Sequence, residues 1–399
     1  MKDRNNQLAG VVIGASGDAI HSIEMARKHG IYVYALDGNP KAAGMPYADE
    51  AITVDIPDTE AVSAVIDKIK PDFIIPIPIG RYLAVTGYIN ERYNLKGIKE
   101  LPTRLSTDKY EFHKVLYKQG LRNIQCYLLK PYEEELSKDY DIKFPAILKP
   151  RYGSGSRDVF YCSNEVDLWE AETNIQDSVE DFILEQAIEG TEYSVDGAVI
   201  DGKLIITLLR KKIITPLPIR QPISSFSVVD NEANNKLMQR VYQKVSKVIK
   251  VLSYDDCLLN ADLIINDDDV FVIEISPRPS GHNLHNVFVP ESTGIDIAEE
   301  YIKFLKGEKF NFRPEVIRQL QIRFFDFEDK VISQIPDESD LKNNGRCNLR
   351  LWQCNIREGE YMNKVKNGHS IMNRGFFIVE GDSEKDLIRQ SKWILEQFK

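Results

Sequence analysis

The stretch NADLIINDDDVFVIEISPRPSGH, residues 260–282, sets two β-rich runs on either side of three consecutive aspartates. A short polar turn between such runs marks a hairpin. With Asp267, Asp268 and Asp269 as the loop, Asn266 pairs with Val270, Asp262 falls opposite Glu274, and Asn260 falls opposite Ser276. Directly opposed side chains have Cβ atoms roughly 4.5–5.5 Å apart. Two carboxylates that close destabilise a sheet unless a cation lies between them. The period of two sends Glu274 and Ser276 to one face and Phe271, Ile273 and Ile275 to the other. Hard oxygens on a rigid sheet suit Mg²⁺ (or Mn²⁺), which takes one or two carboxylates together with nucleotide phosphates. SPRPSGH follows at once and brings Arg278 within reach of the same place.

Two segments upstream carry complementary chemistry. In FPAILKPRYGSGSRDV a strand ends at Lys149, and the loop Gly153, Ser154, Gly155, Ser156 leaves backbone N–H groups free to approach phosphate oxygens. Lys149 adds a point charge. In FILEQAIEGTEYSVDG, Glu185 closes an apolar strand, and Glu192 follows a turn at Gly190. A strand–turn–strand of this kind offers backbone groups to an adenine and a carboxylate to ribose hydroxyls. LLRKKIITPLPIRQP concentrates Arg210, Lys211, Lys212 and Arg220 between the second of these segments and the hairpin. His282 and His285 in GHNLH have the spacing of one helix face, but no third ligand is nearby. His282 reads better as a hydrogen-bonding group on the substrate side than as a zinc ligand.

The N-terminal part is organised differently. LAGVVIG, IYVYALD and DFIIPIP are strand-like, and DAIHSIEMARKHG and TEAVSAVIDKIK between them have helical spacing, with Asp18 as the expected N-cap of the first. Alternating units of this kind predict a parallel sheet covered by helices. The turn GASGDA resembles a dinucleotide fingerprint but lacks its glycine spacing, and a tight turn needing small residues accounts for it better. A boundary near Pro102 precedes a capped helix in STDKYEFHKVLYKQG, and NEANNKLMQRVYQKVSKVIKVL is strongly helical. RFFDFED, GFFIVEG and the helix-forming EKDLIRQSKWILEQF make a last unit.

Composition bounds the function. The chain has 399 residues, enough for two or three domains, and 51 Lys plus Arg against 61 Asp plus Glu, a formal charge of −10. That balance argues against a general nucleic-acid binder, which needs a basic face. No run approaches the ~18 apolar residues of a membrane span. MKDRNNQLAG is polar and lacks a signal-peptide core, and the five cysteines include no Cys-x-x-Cys pair. A cytoplasmic, reduced protein is expected, acting on small molecules without nucleic acid or membrane, with a homodimer as one expected assembly.

In order and spacing, DKY, ILKP with GSGS, LEQAIEGTE and VIEISPRPSG resemble the ATP-grasp superfamily, and RGFFIVEGDSEKD is similar to the closing segment of its carboxylase-like members. The resemblance implies an α/β chain with three parts. These are a doubly wound parallel-sheet domain over 1–105, a two-lobed α+β ATP-grasp core over 106–314, and a small C-terminal α+β domain over 315–399. It implies ATP with Mg²⁺ as cofactors. Lys109 and Lys149 would contact phosphates, and the Gly153–Ser156 loop would cover them. Glu185, Gln186 and Ile188 would form the adenine hinge, with Glu192 on the ribose. Asp262, Glu274 and Ser276 would face the metal, although the family usually has Asn where Ser276 stands. Arg278 would meet the transferred group, and Arg210, Lys211, Arg220 and His282 the substrates. The implied reaction activates a carboxylate as an acyl phosphate and joins it to an amine. The alternatives are a carboxylase- or formyl-transfer-like enzyme acting on a nucleotide precursor, and a nucleotide-binding module without catalysis.

Overall fold

The computed structural model describes residues 7–131, 140–153, 157–216, 221–229, 231–365 and 368–399. The first four strands are β1 (Ala9–Ile13), β2 (Tyr32–Asp37), β3 (Glu50–Thr53) and β4 (Phe73–Ile74). They pair in the order β3-β2-β1-β4, all parallel. Every residue of β1 is buried, as a strand covered on both faces by helices must be. Two expectations need correction here. DFIIPIP yields only the two-residue β4, because Pro76 and Pro78 have no N–H for the ladder. Asp18 does not cap the first helix: it lies in a 3₁₀ turn, Gly17–Ala19, and the helix Ile20–Lys28 follows with no side-chain cap.

A second sheet holds β5 (Cys126–Leu129), β6 (Ala146–Pro150), β7 (Phe160–Cys162) and β8 (Phe182–Gln186) in the antiparallel order β5-β8-β6-β7. The third is built from β9 (Thr191–Ile200), β10 (Lys203–Ile214), β11 (Pro222–Ser227), β12 (Cys257–Ile265), β13 (Val270–Ser276), β14 (Leu320–Phe324), β16 (Leu349–Cys354) and β18 (Gly375–Glu380). Its order is β13-β12-β9-β10-β11-β14-β18-β16, and β15 (Lys330–Ile332) pairs separately with β17 (Glu360–Met362). The large sheet therefore joins strands from both sides of residue 314, since β11 pairs with β14. The helix Glu232–Val251, capped by Asn231, lays Val241, Val245, Val248 and Ile249 on this sheet against Leu259, Val272 and Ile275. Another core joins Val12 and Ile23 of the N-terminal layer to Leu258, Phe288 and Ile302.

The β12–β13 hairpin departs from the expected register in an instructive way. Its turn holds four residues, with Ile265 opposite Val270 and Asn266 N donating to Asp269 O at 3.2 Å. The Asn266 side chain closes the turn by accepting from the Asp268 and Asp269 amides. A bulge at Ile273 then adds one residue to β13, so that Asp262 falls opposite Glu274 and Asn260 opposite Ser276 after all. The bulge also brings Ile273 to the same cavity as Glu274, not to the opposite face. No helix among the described residues is long and apolar enough to cross a membrane.

Candidate functional site

A cavity of about 440 Å³ opens between the small sheet, strands β9, β10, β12 and β13 of the large sheet, and the loop after β4. Most of the expected residues meet on its walls. Lys149, at the end of β6, and Gly153 come from the small lobe, and Glu185, Gln186 and Ile188 from β8 and its exit. Glu192, Arg210, Asp262 and Glu274 come from the large sheet, and Arg278 and His282 from the loop after β13. Lys109 also reaches it, from the first turn of the helix Lys109–Lys118. Ser276 and Lys211 do not line the cavity. Ser154, Gly155, Ser156 and Arg220 lie outside the described residues.

The phosphate-side cations are held by identifiable partners. Lys109 Nζ donates to Gly153 O at 2.8 Å. Desolvation lowers its pKa while the Glu274 charge opposes the shift. Asp108 caps the same helix through Glu111 N. It is gripped by Arg151 at 2.9 and 2.6 Å, and Arg151 also binds Asp181 at 2.9 Å. This clasp fixes the start of the Lys109 helix to the end of β6, which bears Lys149.

The Glu185 side chain is committed within the protein. Its carboxylate is buried and accepts from Lys149 Nζ at 2.6 Å and Arg122 Nη2 at 2.6 Å, with His113 Nε2 at 3.4 Å. Burial alone would raise its pKa; the Lys149 and Arg122 charges outweigh that and hold the carboxyl well below the usual range. The His113 imidazole, also buried, is pushed well below its ordinary value by desolvation. Glu185 thus anchors the lobe through its side chain, and only its backbone is left for a ligand.

Across the cavity the acids are less enclosed. Ser194 Oγ donates to Asp262 Oδ1, and Lys212 Nζ stands 3.2 Å from the same oxygen and 3.5 Å from Glu192. The Asp262 side chain is still 42% exposed. Burial would raise its pKa, but Lys212 and the Ser194 hydroxyl lower it. Glu274 has no hydrogen bond or ion pair with another described residue, and Arg278 spends one N–H on Pro279 O at 2.8 Å. Two opposed carboxylates, one of them unpaired, with Lys109, Lys149 and Arg278 on the same cavity, form a donor set that fits a divalent cation and the phosphates of a nucleotide.

The basic strand corrects one assignment. Lys211 points away from the cavity and binds Glu384 of the C-terminal helix at 2.7 Å, whereas Arg210 and Lys212 face inward. Alternation along β10 demands this, and counting by two from Arg210 would have selected Lys212. Arg210 is itself buried and bound to Asp196 at 2.6 Å. Arg122 and Asp18 were also missed. No local pattern ties Arg122 to Glu185, 63 residues away. Asp18 reads as a cap because caps and site acids look alike in sequence.

Residues 106–282 match the family model of an ATP-grasp domain. The carbamoyl phosphate synthase large chain of Campylobacter jejuni is 23% identical over 336 residues, which are 78% of this chain and 30% of that one. The chain thus spans about three tenths of that relative. Among solved structures, the L-amino acid ligase of Bacillus licheniformis superposes with a TM-score of 0.79 at 15% identity, covering 98% of both chains. The N5-carboxyaminoimidazole synthetase of Staphylococcus aureus, complexed with ADP, gives 0.71 at 16% identity over 97% of both.

Proposed function

We propose that the chain is an ATP-grasp enzyme, residues 106–282 matching the model of that domain, and that it phosphorylates a substrate carboxylate with ATP and passes the acyl group to an amine. The observation that carries this reading is the opposed pair Asp262 and Glu274 on a cavity shared with Lys109, Lys149 and Arg278. Asp262 and Glu274 would hold Mg²⁺, which when bound neutralises charge on the terminal phosphates. Lys109 and Lys149 place fixed positive charge beside those phosphates at no reorganisation cost. A carboxylate oxygen attacks the γ-phosphorus, the bond to the bridging oxygen breaks, and ADP leaves. Arg278 offers its free N–H donors to the oxygens of the transferred group. The amine then attacks the acyl carbon, a C–N bond forms, and phosphate departs as the amine gives up a proton. The clasp between Arg151 and Asp108 keeps the two lysines in register through both steps.

Arg210 separates this reading from that of an enzyme acting on a phosphorylated nucleotide precursor. Its charge is balanced by Asp196 at 2.6 Å and its side chain is 2% exposed, against 9% for Lys149, so it presents little of that charge to an acceptor phosphate. Incubating the protein with Mg-ATP, a pool of the twenty amino acids and hydroxylamine tests the proposal. The expected result is ADP rising in step with hydroxamate. AMP as product refutes the mechanism, and intact ATP under every carboxylate pool points to a binding module.

A further inference from the structure

If the second substrate is an amine, as proposed above, it arrives at neutral pH as an ammonium ion and needs an anion to hold it near the acyl phosphate. The acids of the large sheet are poorly placed for this. Asp262 and Glu192 already share Lys212, and Glu274 faces the charge of Lys109. On the opposite wall stands Asp18. It lines the cavity from the turn after β1, beside Pro78, Ile79 and Gly80. It caps neither its own turn nor the helix that follows, and no cation pairs with it among the described residues.

The loop that carries Arg278 is shaped around this carboxylate. A Cβ placed on Gly281 would lie 3.2 Å from Asp18 Oδ2, so a side chain there would crowd the acid. Gly281 is three residues from Arg278, a span of at most about 11 Å, so a single small substrate can lie between them. The residues behind Asp18 supply little positive charge. His21 is bound to Asp296 at 2.7 Å, and the buried ring of His285, stacked edge-on against His21, has its pKa lowered to about 4 by burial and the neighbouring His21. Ile79, Leu284, Phe324 and Met372 add an apolar part to the lining of the same cavity. From these observations we infer that Asp18 binds the amine substrate as its ammonium ion, and that the acceptor is a primary amine with an apolar body and no phosphate.

Two measurements test the site, using n-butylammonium as probe and 1-butanol as its uncharged counterpart. Calorimetric titration of the full chain with Mg-ADP present is expected to show binding of n-butylammonium but not of butanol. Asp18→Asn should weaken that binding about 10- to 100-fold, the range for a hydrogen bond to a charged group. Equal affinity in the wild type and the variant overturns the inference. The second measurement offers n-butylamine and hydroxylamine together to the activated carboxylate. Hydroxylamine is uncharged at neutral pH, so the ratio of amide to hydroxamate should fall about 10- to 100-fold in Asp18→Asn. An unchanged ratio, with both products falling together, also overturns it. Asp18-dependent ammonium binding without any hydroxamate in the wild type would leave the site standing and sink the ligase reaction.

Discussion

Glu185 and Glu274 are both strand-borne acids on the same cavity, yet they live in opposite electrostatic settings. Glu185, only 4% exposed, is saturated by Lys149 and Arg122. Glu274 stands opposite Asp262 with no cation at bonding distance among the described residues. The first arrangement spends its charge on holding the small lobe together. The second keeps its charge available for something that enters from solvent. Saturation therefore separates a structural acid from a ligand-binding one more sharply than position on the cavity wall does.

The strongest test of this contrast is Glu185→Ala. Removing the acid strands buried cations, and losing one partner of a buried pair costs about 3–5 kcal/mol. Chemical denaturation should show that loss; an unchanged midpoint would erase the distinction. Glu274→Gln should do the reverse. Turnover is expected to fall by about 10²–10³-fold, as when a transition-state charge partner is lost. Unfolding free energy without nucleotide should stay within about 0.5 kcal/mol. A destabilised Glu274→Gln protein would show that this acid, too, is structural.

Acid titration sharpens the comparison further. In the folded state the Glu185 carboxyl lies well below its ordinary value of 4.5, so its stabilisation is complete above that pH and is lost as pH falls further. His113 is held below its ordinary 6.5, so the unfolded chain binds the extra proton first and stability begins to decline as pH drops through 6.5. Melting temperature should therefore fall gently below pH 6.5 and steeply below 4.5. A flat profile down to pH 4 would contradict the buried hub. The smallest effect concerns the two neighbours on β10. Lys211→Met should cost about 0.2–1 kcal/mol of stability, the value of a half-exposed ion pair, with turnover kept. Lys212→Met should impair turnover, because it frees Asp262 and Glu192 inside the cavity. Equal activity in the two variants would remove the meaning given to the alternation.

The hairpin, the alternating N-terminal units and the helix Glu232–Val251 were legible in the sequence because their information is local. A period of two or of 3.6 and a polar turn suffice to place residues on faces. The pairing of Asp262 with Glu274 was read correctly even though the turn was one residue longer than supposed. The bulge at Ile273, which no local rule required, compensates for it. What could not be read was the partner of each charge. Glu185 meets Lys149 and Arg122 across 36 and 63 residues, and Asp18 meets the loop at Gly281 from the far end of the chain. Coulomb energy depends on separation in space and on burial, and both are set only when three sheets pack around one cavity. The sequence by itself therefore determined which residues carry charge and which way their strands turn them. Only the tertiary structure decided which of those charges are spent on one another and which are left for a ligand.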